Sequence, residues 1–251
     1  MPGKLRILLT CLLLACSTIV GFGQAKKSKT AKSLPNKQPK IEETIAAPAV
    51  EKAPMLQVWE MSLLHELNTV RANPSQAIAL LEEYRKFYKG NELQLPKSPT
   101  IETNEGVAAV DEAINFVRNY QPLPKLQVSQ ALTLAANDHL ADMLATGISG
   151  HQGTDGSLPN QRINRRGVNT QVVGENISFY TQEARTVIFW MLIDDGNKRR
   201  GHRNNIFSPR FGYLGIASGQ SKQLGRICII TFAEQKGPAG IINKAAPVKL
   251  N

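Results

Sequence analysis

The chain has 251 residues, of which 42% are hydrophobic and 20% charged, and its formal net charge is +10. This length and apolar content are enough for one sizeable core, so we expect a single globular domain with flexible ends. Residues 1–54 carry nine Lys/Arg and three Asp/Glu, whereas residues 55–251 carry 21 and 17. More than half of the excess charge therefore lies outside the expected fold. Because no RNA-binding aromatic motif, zinc finger or basic zipper accompanies it, we expect no nucleic-acid partner.

The N-terminus has the pattern of a secretory signal. Lys4 and Arg6 precede an apolar run over residues 7–20, and small residues follow it. The run is too short for a membrane span and is typical of a signal peptide, which we place at residues 1–24. We therefore expect a secreted or cell-envelope protein with no transmembrane span once the signal is removed. Residues 25–54 are rich in Lys, Ala, Pro, Ser and Gln, which predicts a flexible basic linker.

The three cysteines bear on anchoring and on disulfides. Cys11 and Cys16 fall in the predicted signal, so the mature chain keeps only Cys228 and no internal disulfide. The residues before Cys16 resemble a lipobox, which leaves lipid anchoring at Cys16 as an alternative. Residues 17–23 are apolar rather than a polar tether, and this favours simple secretion. Cys228 lies in an apolar run and is predicted to be a buried structural thiol.

The first half of the chain reads as helical. Apolar residues recur at helical spacing over residues 55–71, and a second helix is predicted at 75–88 after Asn73, an N-cap followed by proline. Residues 89–105 are polar and predict a loop, which is followed by a helix at 106–120. A further strong helix is predicted after a cap at Ser129.

The second half mixes loop, helix and strand. Residues 146–170 are rich in glycine and predict a long structured loop, and residues 183–194 predict a short buried helix. Two strands are predicted at 212–218 and 226–233, and the second is almost continuously apolar, as in an interior strand. Residues 237–251 read as a tail. The order of the elements predicts an α/β domain with a small sheet between helical layers.

Two of the four histidines stand out. His65 and His139 lie within predicted amphipathic helices, where a packing or surface role is expected. His151 and His202 each follow a glycine at a loop or element end, and Glu175 also follows a glycine. Neutral imidazoles bind zinc, and a carboxylate either completes the metal shell or orients an imidazole. A Glu and a His can instead share proton transfer, so both a metal site and a catalytic site fit these residues.

The longer motifs resemble a known family. The strings at residues 174–177 (GENI) and 201–206 (GHRNNI) closely resemble the signature of the CAP superfamily. This superfamily comprises cysteine-rich secretory proteins, antigen 5 and pathogenesis-related 1 proteins, and bacterial SCP-like extracellular domains. The resemblance covers about residues 61–233, apart from an apparent insertion near 85–120, and places a CAP/SCP-like domain of the bacterial branch at 55–236. Further matching positions are Leu67, Asn68, Arg71, Pro74, Ala135, Ala136, His139, Met143, His151, Asp155, Gly156, Ser157, Arg162, Asp194, Asp195, Gly196, Pro209, Phe211 and Gly215.

The resemblance implies both a fold and a site. It implies an α-β-α sandwich with a small central, mostly antiparallel sheet, and a central cleft lined by His151, Glu175 and His202. In many members the two histidines hold a divalent metal, so Zn²⁺ or another divalent cation is expected at His151 and His202. The family's second glutamate has no counterpart before His202, and Asp194 and Asp195 are the candidates to replace it. Those two aspartates, Glu175 and Asn176 are the expected supports of the cleft.

A basic run at residues 198–203 stands beside His202 and is interpreted as a solvated face. The leading functional hypothesis is a monomeric secreted module that binds a divalent metal and an extracellular ligand, whether peptide, glycan or lipid. One alternative is a metal-assisted or Glu/His hydrolase of peptides or cell-envelope polymer, with Glu175 and His202 as catalytic residues. The absence of Gly-x-Ser-x-Gly, His-Glu-x-x-His and a candidate cysteine nucleophile favours binding over catalysis. A lipid or sterol carrier is the third hypothesis.

Overall fold

A computed structural model describes residues 54–96, 98–180 and 183–234. The predicted signal peptide, the lipobox cysteine, nearly all of the linker and the tail lie outside the described residues. The described elements begin with two helices, α1 (Val58–Ala72) and α2 (Pro74–Arg85). Between them the Asn73 side chain accepts a hydrogen bond from the Gln76 backbone N–H at 3.2 Å, which confirms the predicted N-cap.

The segment predicted as a loop after α2 contains a small sheet. Strands β1 (Tyr88–Lys89), β2 (Glu92–Leu93) and β3 (Ile101–Glu102) pair in that order and are antiparallel. Each strand has only two residues, which is too short to leave a periodic signal in the sequence. The next helix, α3 (Val107–Arg118), lies within the range predicted for it.

The remaining elements surround the candidate site. Strand β4 (Gln127–Val128) leads into α4 (Gln130–Thr146), where the Ser129 hydroxyl caps the Leu132 N–H at 3.5 Å as predicted. Besides the two-residue β4, three short elements were not expected from the sequence. They are helix α5 (Pro159–Arg165), strand β5 (Val173–Ser178) and helix α7 (Gly201–Ile206). Helix α6 (Ala184–Ile193) and strands β6 (Phe211–Ser221) and β7 (Gly225–Glu234) complete the order.

The main sheet has the order β4-β6-β7-β5, with β4 parallel to β6 and all other pairs antiparallel. Helical layers cover both of its faces. On β7, Ile227 and Ile229 pack in a cluster with α4, whereas Cys228, Ile230 and Phe232 pack in the core that contains α1, α3 and α6. This alternation confirms the predicted α-β-α sandwich and the interior position of β7.

Cys228 belongs to this interior and is a free, fully buried thiol, as predicted. Its burial raises its pKa well above the ordinary value, so the thiolate nucleophile is suppressed. The nearly all-apolar α6 is also buried, as expected. Across residues 54–96, 98–180 and 183–234, no helix combines the length and the apolar character needed to cross a bilayer.

Helix α4 approaches the sheet most closely at Gly215 of β6. A Cβ built on Gly215 would lie 2.1 Å from the carbonyl carbon of Leu132 and 2.2 Å from the backbone nitrogen of Thr133. Only a residue without a side chain can occupy this point, because the first turn of α4 fills the space. Gly215 therefore sets the distance between the sheet and the helix that carries His139.

Candidate functional site

The first half of the site is built around Glu175 on β5. The Glu175 carboxylate accepts a hydrogen bond from Nδ1 of His151 at 2.9 Å. It also accepts from Nη2 of Arg162, at 2.9 Å to Oε2 and 3.2 Å to Oε1. The Glu175 and Arg162 side chains are buried, whereas the His151 side chain is 29% exposed. The imidazole is thus the part of this triad that meets the solvent.

Arg162 also holds the loop that carries His151. Its guanidinium donates to the backbone carbonyls of Ser157 at 2.8 Å and of His151 at 3.0 Å. Arg162 can do this because it lies on α5, a single short helix that begins at Pro159 with proline in its first turn. One buried cation therefore fixes both the carboxylate and the loop.

His139 on α4 is a further member of this half. Its Nε2 lies 2.7 Å from the carbonyl oxygen of Gly150 and 4.0 Å from Oε1 of Glu175. Burial lowers the pKa of His139, so the imidazole is neutral and its Nε2–H donates to Gly150. The sequence indicated only a packing role for His139. Its hydrogen bond to the residue before His151 could not be read from helical spacing.

The buried His139 makes stability depend on pH. Because its pKa is lowered below the ordinary value of about 6.5, the unfolded chain takes up this proton at a higher pH than the folded one. The contribution of neutral His139 to the free energy of unfolding is complete above about pH 6.5. It is lost as the pH falls toward the pKa of His139 in the folded protein. We expect His139→Gln to lose less of its urea-unfolding free energy than the wild type between about pH 7.5 and 5.5. Exposed His65→Gln is the control, and equal losses in all three proteins would contradict the prediction.

The second half of the site pairs His202 with Asp194. Oδ1 of Asp194 lies 2.7 Å from Nδ1 of His202, and its Oδ2 accepts from the His202 backbone N–H at 2.9 Å. Asp194 is buried and caps the C-terminus of α6 in the left-handed conformation, with φ of 53°. The His202 side chain is 21% exposed. This half repeats the plan of the first, a buried carboxylate behind a partly exposed imidazole.

Asp195 does not contact His202. Its carboxylate accepts from the backbone N–H groups of Asn104 at 2.6 Å and Glu105 at 2.7 Å, in the segment before α3. Of the two aspartates considered for the missing glutamate, only Asp194 therefore bonds to the imidazole of His202.

The basic run beside His202 is only partly a solvated face. Lys198 and Arg199 are exposed, but the Arg200 side chain is 11% exposed and that of Arg203 is 1% exposed. Both of the latter guanidiniums form ion pairs with Glu112 of α3. The prediction of a solvated face is wrong for these two residues. Both guanidiniums are largely buried and paired with acidic residues that lie far away in the sequence.

Asn176 connects the two halves. Its Nδ2 donates to the His202 carbonyl at 3.1 Å, and its Oδ1 accepts from Asn205 at 2.8 Å. Asn176 is fully buried and follows Glu175 directly on β5. Two consecutive residues of one strand therefore hold the His151 half and the His202 half.

The two imidazoles share one chemical feature. In each, Nδ1 faces a carboxylate oxygen, which can only accept, so the neutral ring that fits this contact has its proton on Nδ1 and its lone pair on Nε2. Metal-binding histidines characteristically have such a carboxylate behind the ring. Among the described residues, no cluster of three or more His, Cys, Asp or Glu side chains could hold a metal ion. Each imidazole taken singly therefore has the tautomer in which Nε2 could serve as one ligand of a divalent cation.

Comparison with known proteins places this arrangement in a family. Residues 112–232, which include every side chain of the two halves, match the CAP family model, described as the cysteine-rich secretory protein family. Residues 112–232 are thus identified as a CAP domain by their match to this model. The resemblance read from residues 174–177 and 201–206 is thereby confirmed, and the strand and helix that bear these motifs are β5 and α7 of the CAP domain.

Individual relatives match parts of the chain. The YkwD protein of Bacillus subtilis (strain 168) is 28% identical over 113 residues, which is 45% of this chain and 42% of that protein. An extracellular protein containing a SCP domain from Bacillus anthracis is 21% identical, with a TM-score of 0.38 over 51% of this chain and 38% of that one. An outer surface protein of Borrelia burgdorferi is 17% identical, with a TM-score of 0.38 over 45% of this chain and 80% of that one. The chain thus spans less than half of the length of the two Bacillus proteins.

Proposed function

We propose that the protein is exported and that its CAP domain binds a divalent cation through Nε2 of His151 and Nε2 of His202. The observation that carries the proposal is the repeated pairing of a partly exposed imidazole with a buried carboxylate, Glu175 in one half and Asp194 in the other. Zn²⁺ is the first candidate because neutral imidazoles are among its preferred ligands. Export is supported by the basic residues and the apolar run at the N-terminus.

The residues have distinct roles in this proposal. Glu175 and Asp194 fix the rotation and the tautomer of the two rings, and Asn176 holds the backbone of the His202 half against β5. A cation bound by two imidazoles supplies a positive charge with open coordination positions. An extracellular ligand with a carboxylate, carbonyl or hydroxyl oxygen can fill these positions, and peptides and glycans both carry such groups.

Calorimetric titration of Zn²⁺ into the purified CAP domain tests the proposal. We expect the wild type to bind about one Zn²⁺ per chain and the His151→Ala, His202→Ala double variant to lose that binding, because both ligands are removed. His65→Ala is the matched control, since His65 is an exposed histidine on α1 away from both halves. Equal binding by the wild type and the double variant would remove the metal from the proposal.

The hydrolase alternative receives less support. Both oxygens of Glu175 are engaged by Arg162 and His151, and its side chain is 1% exposed. A general base must reach the proton that it removes from the substrate or from water. Glu175 thus fits an orienting role better than a catalytic one. Turnover of a peptide or peptidoglycan library that disappears in Glu175→Ala but persists in Arg165→Ala would reverse this preference.

An open cavity beside α1 bears on the carrier alternative. It has a volume of about 240 Å³ and is lined by Met61, Leu64, His65, Asn68, Thr69 and Lys125. This volume is below the range of about 300–1,000 Å³ that is usual for small-molecule sites, and four of the six lining residues are polar. We therefore do not propose a lipid ligand. Lipid extraction and mass spectrometry of the purified protein would restore that hypothesis if a sterol or fatty acid were recovered in stoichiometric amount.

A further inference from the structure

The loop that presents His202, residues 194–203, has an unusual backbone at two points. Asp194 and Arg200 both adopt the left-handed conformation, with φ of 53° and 50°. Among the described residues, only three that are not glycine have positive φ, and these are two of them. Such conformations are unfavourable for L-residues and persist only where the surroundings enforce them. Something must therefore hold the His202 loop in place.

The restraint comes from Asn104, Glu105 and Glu112, which we call the acidic brace. Glu105 accepts two parallel hydrogen bonds from the Arg200 guanidinium, each of 2.7 Å. Glu112, one turn into α3, accepts from Arg200 at 2.6 Å and from Arg203 at 3.0 Å. The Arg200 hydrogen bonds lower the pKa values of both Glu105 and Glu112, so both carboxylates stay charged at neutral pH.

The same guanidinium reaches the residue that orients His202. Nη1 of Arg200 donates to the backbone carbonyl of Asp194 at 2.8 Å. The Glu105 carboxylate also accepts from the Gly196 N–H at 2.8 Å, and the brace backbone at Asn104 and Glu105 donates to Asp195. The loop is therefore tied to the brace at both ends and in the middle.

We propose that Glu105 and Glu112 are positioning residues for His202. They fix Arg200, Arg200 fixes Asp194, and the Asp194 carboxylate fixes the imidazole and the backbone N–H of His202. The brace lies in the segment read from the sequence as an insertion, residues 85–120, which gives that segment a role at the site. The order of the loop is a property of the metal-free protein. The effect of this order on the affinity of His202 for a metal rests on the proposed function.

The exposure of the two glutamates separates this role from general support of the fold. The Glu105 and Glu112 side chains are 35% and 49% exposed. An ion pair with one partly exposed partner contributes less to global stability than a pair buried on both sides, and the buried Arg203 keeps its hydrogen bonds to the carbonyls of Leu192 and Ile193 when Glu112 is replaced. Removing the charges should consequently loosen the loop far more than it lowers the unfolding free energy of the domain.

Amide hydrogen exchange of the metal-free protein tests the proposal. The N–H groups of His202 and Arg203 both donate to Oδ2 of Asp194, at 2.9 and 3.4 Å, and so report on that carboxylate. We expect Glu105→Gln, Glu112→Gln to speed exchange at these amides about tenfold or more, with no change at Ile229 in β7. Asp111→Asn is the matched control. It removes a bidentate Arg85 pair from the same helix and should leave the His202 loop unchanged.

The variant Arg200→Gly distinguishes the effect of losing the ion pairs to the brace from the effect of backbone strain at residue 200. Glycine adopts the left-handed conformation freely, so this variant relieves the strain while it removes the guanidinium. The proposal expects faster exchange at His202 in Arg200→Gly. Wild-type or slower exchange there, unchanged exchange in the double glutamine variant, or equal acceleration at His202 and Ile229 would each overturn it.

Zn²⁺ titration then tests whether the brace affects the metal affinity of the proposed site. If the wild type binds Zn²⁺, the double glutamine variant should bind about tenfold more weakly, with the Asp111→Asn control unchanged. Wild-type Zn²⁺ affinity in the double variant would overturn the positioning role. Failure of the wild type to bind Zn²⁺ would sink the metal proposal alone, because the exchange measurement decides on the brace without metal.

Discussion

Replacing Arg162 with methionine is expected to lower the free energy of unfolding by about 3–5 kcal/mol, the range for removing one partner of a buried ion pair. The variant keeps an unbranched apolar stem, although a shorter one, and leaves the Glu175 carboxylate buried without its cation. It also leaves the carbonyls of Ser157 and His151 without their donor. Urea unfolding followed by circular dichroism measures the loss.

Arg165→Met provides the comparison for that experiment. Arg165 lies on the same helix and pairs with Asp155, but both side chains are more than half exposed. Exposed pairs contribute about 0–1 kcal/mol, so this variant should unfold almost like the wild type. A loss in Arg162→Met no larger than that in Arg165→Met would show that Glu175 does not depend on its cation. The account of the His151 half would then have to be abandoned.

Gly215→Ala is expected to cost about 3 kcal/mol or more, although it adds only one methyl group. The new Cβ would stand 2.1 Å from the carbonyl carbon of Leu132 and 2.2 Å from the nitrogen of Thr133. Those are backbone atoms of the first turn of α4, and they cannot rotate away as a side chain would. The helix must shift from the sheet, which should also disturb His139 further along α4. The midpoint of thermal unfolding measures the cost.

Gly90→Ala is the complementary variant. Gly90 has φ of 61°, but a Cβ there would meet nothing within 4 Å, so the substitution tests conformational strain without a clash. We expect a loss of about 1 kcal/mol, typical of placing alanine in the left-handed region. A similar loss for both variants would mean that α4 can retreat from the sheet at little cost, contrary to the close approach at Gly215.

The long elements could be predicted because their signals are local. The helical spacing of apolar residues identified α1 and α4, and the continuous apolar run identified β7 as an interior strand. The elements that were missed are short or polar. Strand β5 contains Gly174, Glu175 and Asn176, and it is a strand because six of its residues pair with β7, some 50 residues later in the chain. No pattern within residues 173–178 carries that information.

The site was predictable in its members but not in its connections. Spacing and motif pointed to His151, Glu175 and His202, yet left Asp194 and Asp195 equivalent. The structure separates them because Asp194 ends α6 in a left-handed turn, so its neighbour faces the brace instead of His202. The roles of Glu105 and Glu112 depend on contacts between side chains that the sequence presents as ordinary surface charges, and the motif that included Arg162 did not show which carboxylate it pairs with.

One property of β5 has a consequence for how the protein matures. Consecutive residues of a strand face opposite sides of the sheet, so the Glu175 carboxylate reaches the His151 ring from the α4 side, whereas Asn176 reaches the backbone carbonyl of His202 and leaves its ring to Asp194. In the native pairing Glu175 lies opposite Thr231 and Asn176 opposite Ile230. A slip of one residue would exchange the two sides and dismantle both histidine centres in a single error. Folding intermediates in which only one histidine centre is assembled should therefore be rare. Formation of the complete site requires that the edge strand β5 pairs in its native register.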